Sequence, residues 1–323
     1  MATSQQATIV VGVDGSSASN KALDWAAHEA GRRGLPLTLV NAGYYHYGPP
    51  LSPDTVSRAN QESATYSGSV MHAAAARASQ LDRGLEIRTV VHTESPASYL
   101  ISQSESAAMI VLGTHGQGNI VGAILGSISQ SVAAHAHCPV VVVNDHLAAA
   151  VERKSSVVVG ISPTKGGEQA LRFAFEEARL RRCRLVAVRS WGELGWGAGA
   201  LNYAGEILQD WRAVESTVLD ECIEAIAPDF PEVQVDRQLS GAGETWALEQ
   251  AAMEAELLVV GCRHSDDNWF SRLGPIGSWL LHRAPCPIVV VGRPAEKASE
   301  HIESSAPATE RGLAWATTST DPS

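Results

Sequence analysis

The chain repeats itself. Residues 10–42 (VVGVDGSSASNKALDWAAHEAGRRGLPLTLVNA) align with residues 158–190 (VVGISPTKGGEQALRFAFEEARLRRCRLVAVRS) at an offset of 148. The same offset carries Gly113 to Gly261, Gly126 to Gly274, Cys138 to Cys286 and Pro139 to Pro287. One offset that holds from the first segment to the last means two copies of a single fold with no net insertion. In a chain of 323 residues that predicts two domains of ordinary size, at 1–146 and 154–294. Residues 145–154 read as a polar, alanine-rich linker. Residues 295–323 are rich in Ser, Thr, Ala and Glu without periodicity, a composition that predicts a disordered tail.

Within the first copy, residues 8–14, 37–42, 109–112 and 140–143 are short apolar runs and 85–92 alternates, so all five read as strands. Between them lie helical segments. Ala22, Ala26 and Ala30 share one face of the first, residues 54–81 form a long second, and 95–104 a short third. Ile128, Val132 and Ala136 recur at helical spacing in the fourth, which Pro139 ends. The second copy repeats the order, with strands at 156–162, 184–191, 233–239, 257–261 and 287–291. Strand and helix in strict alternation predict an α/β fold: two tandem repeats, each an open five-stranded parallel sheet with helices on both faces.

Composition narrows the partners. A formal net charge of −11 argues against nucleic acid or an anionic membrane surface. The five cysteines are scattered and form no CxxC pair, which fits reduced thiols better than a disulfide or zinc framework. The first residues carry no basic segment followed by an apolar core, and no apolar run approaches the ~20 residues of a membrane span. The expectation is a cytoplasmic protein.

In open α/β sheets, ligands sit beyond the carboxyl ends of the strands. Three segments of the first copy meet there: Val13-Asp14-Gly15, Asn41-Ala42, and a glycine-rich stretch from Leu112-Gly113 to Ser129 that holds Gly116, Gly118, Gly122 and Gly126. Strand, glycine loop, helix is a layout that cradles phosphate, because glycines allow close backbone approach and a helix N-terminus presents unpaired N–H groups. Asp14 can accept hydrogen bonds from a ribose or adenine, or can cap the following helix; Ser127 also sits where a cap belongs. Two better-known phosphate motifs are excluded. Gly116, Gly118 and Gly122 follow the fourth strand of their copy rather than the first, and no GxxxxGK[ST] occurs. His115, His135, His137 and His146 lack carboxylate partners at metal-ligand spacing. Arg181 and Arg182 read as a solvated helix end.

The spacing Gly-x2-Gly-x9-Gly-Ser at Gly113, Gly116, Gly126 and Ser127, with VVGVDGS at residues 10–16, resembles the universal stress protein family, specifically its tandem actinobacterial type and its ATP-binding subclass. The resemblance covers both copies. It implies a Rossmann-like fold of the adenine nucleotide alpha-hydrolase kind, with ATP as ligand, with or without Mg2+. In such proteins the Asp14 and Val13 positions meet adenosine and the Ala42 backbone lies against adenine. The positions of Leu112, Gly113, Gly116, Gly126, Ser127, Ile128 and Ser129 hold ribose and phosphates, and His115 lies beside the nucleotide. No catalytic residue is implied, and at most slow hydrolysis. The last strands of the two copies are implied to pair, here antiparallel, making an intramolecular pseudo-dimer; whether two chains associate stays open, and the downstream partner is unknown.

At the 148-residue offset the second copy departs from this pattern. Asp14 becomes Ser162, Gly116 becomes His264, Ser127 becomes Pro275, and Asp266 and Asp267 enter the loop. The expectation is an ATP-binding, non-turnover stress-response protein that binds chiefly through its N-terminal copy. The alternatives are a weak ATPase or phosphotransferase using His115 or Ser127, and an interaction protein with a vestigial site.

Overall fold

The computed structural model describes residues 7–42, 53–93, 95–114, 125–144, 156–192, 204–262 and 269–292. The first copy runs β1 (Ile9–Gly12), α1 (Ser17–Arg33), β2 (Leu37–Ala42), α2 (Pro53–Leu81), β3 (Ile87–His92), α3 (Pro96–Gln103), β4 (Met109–Gly113), α4 (Ser127–His135) and β5 (Val140–Val143). The second runs β6 (Ser156–Gly160), α5 (Lys165–Arg181), β7 (Arg184–Ser190), α6 (Ala204–Glu224), a 3-10 turn (Ala227–Asp229), β8 (Val235–Ser240), α7 (Glu244–Ala252), β9 (Leu257–Gly261), α8 (Trp269–Arg283) and β10 (Ile288–Val291). The tyrosine-rich stretch 43–52, most of the glycine loop, the linker and the tail expected after residue 294 lie outside the described residues.

Each copy forms a parallel five-stranded sheet, in the orders β3-β2-β1-β4-β5 and β8-β7-β6-β9-β10. The two join through β5 and β10, the one antiparallel pair in a continuous ten-stranded sheet. Val141 faces Val289 there, residues that the 148-residue offset makes equivalent. The pair therefore sits on the pseudo-two-fold axis. All-valine β5 is buried on both faces, as a strand must be when helices cover both sides.

Two apolar layers sandwich the sheet. On one side Ile9, Val11, Met109, Val111 and their counterparts pack against α1, α2, α5 and α6. On the other Val10, Ile110, Leu112 and theirs pack against α3, α4, α7 and α8. Alternate strand residues feed alternate layers. The expected alanine face of α1 is there: Ala22, Ala26 and Ala30 are fully buried, small enough to let the helix lie close to the sheet. The fourth helix differs in one residue. Val132 is fully buried but Ile128 is 40% exposed, because at that turn α4 has passed the sheet edge and faces a cleft.

The C-terminal turns of α1 and α5 meet beneath the joint, and Arg181 is not solvated there. It is 1% exposed and shares the carboxylates of Glu29 and Glu177, themselves 1% and 0% exposed, with Arg33. Arg33 and Arg181, like Glu29 and Glu177, are equivalent at the offset of 148, so each arginine binds its own helix at i,i−4 and crosses to the other copy. No disulfide joins any of the five cysteines. Cys138 and Cys286 are buried, and burial pushes the Cys138 thiol up to about 12.

Candidate functional site

The carboxyl ends of β1, β2 and β4 open onto a cleft walled by α3 and by the first turn of α4. Its empty space is about 650 Å³ with the open mouth included, within the roughly 300–1,000 Å³ of small-molecule sites. Of the residues expected in a site, Val13, Asp14, Ala42, Leu112, Gly113, Gly126, Ile128 and Ser129 line it together. Ser127 is exposed and stands one residue outside the lining. His115 and Gly116 lie outside the described residues.

Asp14 leaves β1 at the floor of the cleft. Its Oδ1 accepts from the Ser16 N–H at 3.0 Å, and its carbonyl accepts from the Tyr66 hydroxyl at 3.1 Å. The capping role falls elsewhere: Ser16 is the N-cap of α1 and accepts from the Ser19 N–H at 3.1 Å. With a dedicated cap in place, the Asp14 carboxylate is not required for helix initiation. The turn that bonds it to Ser16 instead fixes its position at the strand end.

Beside it Asn41, buried in β2, donates from Nδ2 to the Val13 carbonyl at 2.7 Å. That bond ties the β1 and β2 ends together and keeps the cleft floor open between them. The sequence signal was a single amide inside the apolar run LTLVNA; Asn41 was placed at the strand ends without a role of its own. Pro96 and Leu100 on α3 supply the far apolar wall. They were not foreseen, since nothing in residues 95–104 distinguishes a cleft wall from a core face.

The phosphate side is built on α4. Gly126 is its N-cap, with φ −61° and ψ 142°, and has no side chain to cap the first-turn N–H groups. The cap position is thus Gly126 rather than Ser127, and the first turn that follows lines the cleft at Ile128 and Ser129. Ser129 donates from Oγ to the Gly113 carbonyl at 2.7 Å, and the Gly126 N–H donates to the Thr114 carbonyl at 2.7 Å. These bonds clamp the start of α4 to the end of β4. A Cβ on Gly113 would fall 2.7 Å from the Ala18 backbone carbon, so only glycine lets β4 reach α1 at this point. Among the described residues no group of three His, Cys, Asp or Glu side chains could hold a metal ion.

A model of the universal stress protein family matches residues 7–144 and again 155–292. The chain belongs to this family. Universal stress proteins of mycobacteria are similar along their length: one of Mycolicibacterium smegmatis is 31% identical over 288 residues, covering 88% of this chain and 96% of its own. One of Mycobacterium tuberculosis is 31% identical over 297 residues, covering 87% and 95%. These tandem relatives make it a two-copy universal stress protein. A solved universal stress protein from Archaeoglobus fulgidus, 17% identical, superposes with a TM-score of 0.64 over 89% of this chain and 97% of that one, which shows the shared fold.

The second universal stress protein domain has a cleft in the corresponding place, with different chemistry. Ser162 stands where Asp14 does, within 3.3 Å of the Thr164 hydroxyl; Thr164 caps α5. Arg189 replaces Asn41. Its Nη1 donates to the Ile161 carbonyl at 3.0 Å, as Asn41 does to Val13, but its Nε binds Glu215 at 2.6 Å. The Arg189 guanidinium thus lines the second cleft where the first has the smaller, neutral amide. Helix α8 passes through a break at Gly274 (φ 63°, ψ 170°) into Pro275, which has no N–H to offer. His264, Asp266 and Asp267 lie outside the described residues.

Proposed function

We propose that the chain binds one adenine nucleotide, ATP, in its N-terminal universal stress protein domain and acts through occupancy rather than turnover. The observation that carries this is the difference between two equivalent clefts. The first joins a positioned carboxylate, an apolar slot and uncapped helix amides; the second has Ser162, an Arg189–Glu215 pair and Pro275 in their places. The first set suits the parts of the ligand in order. Asp14 accepts from ribose hydroxyls, Val13 and Ala42 face the base, and Ile128 and Ser129, in the first turn of α4 after Gly126, meet phosphate through backbone N–H groups. In the second, the carboxylate that would accept from ribose is absent and Pro275 offers no N–H.

The same inventory supports binding without turnover. Phosphoryl transfer needs a group that neutralises the transferred phosphate and one that orients water. Among the described cleft residues Asp14 is the only ionisable side chain. Mg2+, if carried in by ATP, would stay on the phosphates. The test is equilibrium dialysis with ATP: one nucleotide per chain is expected. Two per chain would overturn the single-site reading, and none at millimolar ATP would overturn nucleotide binding.

A further inference from the structure

The junction beside the first cleft is supported by a residue of the other domain. His282, in the last turn of α8, accepts at Nδ1 from the backbone N–H of Leu125 at 2.9 Å. Leu125 is buried and immediately precedes Gly126, the N-cap that lines the cleft. Because a backbone N–H can only donate, Nδ1 must carry the lone pair and Nε2 the proton. Among the described residues it holds the junction together with Gly126 N–H to Thr114 and Ser129 Oγ to Gly113. The other two are made within the first copy.

The arrangement is not reciprocal. At the offset of 148 the counterpart of His282 is Ala134, and that of Leu125 is Leu273. An alanine side chain cannot accept a hydrogen bond, so the first domain returns no such side-chain support to the second. α4 and α8 pack against each other across the joint, which makes the contact part of how the two domains are docked.

We infer that His282 is a positioning residue for the nucleotide site of the opposite domain, and that the second domain, with its own cleft altered, serves to hold the first one's α4 in register. This rests on the reading that the first cleft binds ATP. The phosphate-facing amides of α4 follow Leu125 directly, so an unanchored Leu125 must be ordered when ligand binds. That ordering cost appears as lost affinity. A net hydrogen bond of ~1 kcal/mol corresponds to about a fivefold change.

The experiment compares ATP affinity, by calorimetry, in the wild-type chain, His282→Ala and His282→Asn. The Asn Oδ1 occupies the branch position of Nδ1 and accepts the same N–H, so His282→Asn should bind within about twofold of wild type. His282→Ala should bind about fivefold more weakly. Equal ATP affinity in all three, with only the melting temperature lowered in His282→Ala, would make the contact merely structural and overturn the inference. If the wild-type chain binds no ATP, the parent reading fails instead. A second measurement needs no variant: the Leu125 amide should be protected from hydrogen exchange in the ATP-bound wild-type chain. Exchange there at the unprotected rate overturns the latch.

Discussion

Asp14 and Ser16 divide a task that sequence alone could assign to either. Both residue types cap helices, and they sit two apart before α1. The structure gives the cap to Ser16 and uses Asp14 as an acceptor for the Ser16 N–H, so the ligand role proposed for the carboxylate does not compete with helix capping. Replacing Asp14 by Asn tests this separation. An Asn Oδ1 can still accept from Ser16, so the melting temperature without ligand should stay close to wild type. The charge that strengthens bonds to ribose hydroxyls is lost, and ATP affinity should fall by roughly tenfold, the scale of a hydrogen bond to a charged group. Calorimetry beside a thermal melt reads both. A large fall in melting temperature would instead return Asp14 to a structural role. Asn41 shows why some of the site stayed hidden. Its neighbours Leu39 and Val40 obey the pattern of a buried strand, and a lone amide among them can be a satisfied core group or a cleft group. Only its bond to the Val13 carbonyl separates these.

The elements themselves were legible, because each is short, apolar and bounded by glycine, proline or a cap, and because the offset of 148 supplied two independent readings of every one. The pairing of β5 with β10 followed from two valine-rich edges that both needed cover. What periodicity could not supply was the angle at which an element leaves the sheet. Ile128 has the spacing of a core residue but lies on the turn of α4 that overhangs the cleft. The end of β4 makes one such close contact. Gly113 presses on the backbone of Ala18 in α1, and its counterpart Gly261 lies equally close to Gly166 in α5. Gly113→Ala should push β4 from α1 and shift the carbonyl that Ser129 binds. Overpacking of this kind costs about 1–3 kcal/mol, seen as a lower denaturation midpoint, and it should weaken ATP binding as well. Gly261→Ala should destabilise to a similar degree while leaving ATP affinity near wild type. A loss of affinity as large in Gly261→Ala would argue against a single site.

Across the whole molecule the joint includes, beside the α4–α8 contact, a pair of apolar strands and a buried ionic knot. Glu29 and Arg181 lie 152 residues apart in sequence, and a run of arginines at a helix end looks solvated until the second copy is brought against the first. Removing one member leaves buried carboxylates under-compensated. Arg181→Met should cost about 3–5 kcal/mol, measurable by chemical denaturation. Glu256 completes the knot from outside the symmetry. Its Oε1 lies 3.2 Å from Arg32 Nη2 and 3.1 Å from Arg181 Nε, the latter at an angle that forms no hydrogen bond. Burial raises the Glu256 carboxyl above its ordinary value; Arg32 pulls it down and the nearby Glu29 pushes it up. The folded chain therefore keeps this proton to higher pH than the unfolded chain does. The stabilisation is complete below the unfolded value of ~4.3 and is lost as pH rises through the higher folded value. Glu256→Gln cannot titrate and so removes this one dependence while keeping an oxygen for Arg32. Thermal melts of both proteins from acid to neutral pH should show wild type losing ground to Glu256→Gln as pH rises. A constant difference between the two would mean that the carboxyl titrates alike in the folded and unfolded chains, and that the ionic knot tolerates its sixth charge at no cost.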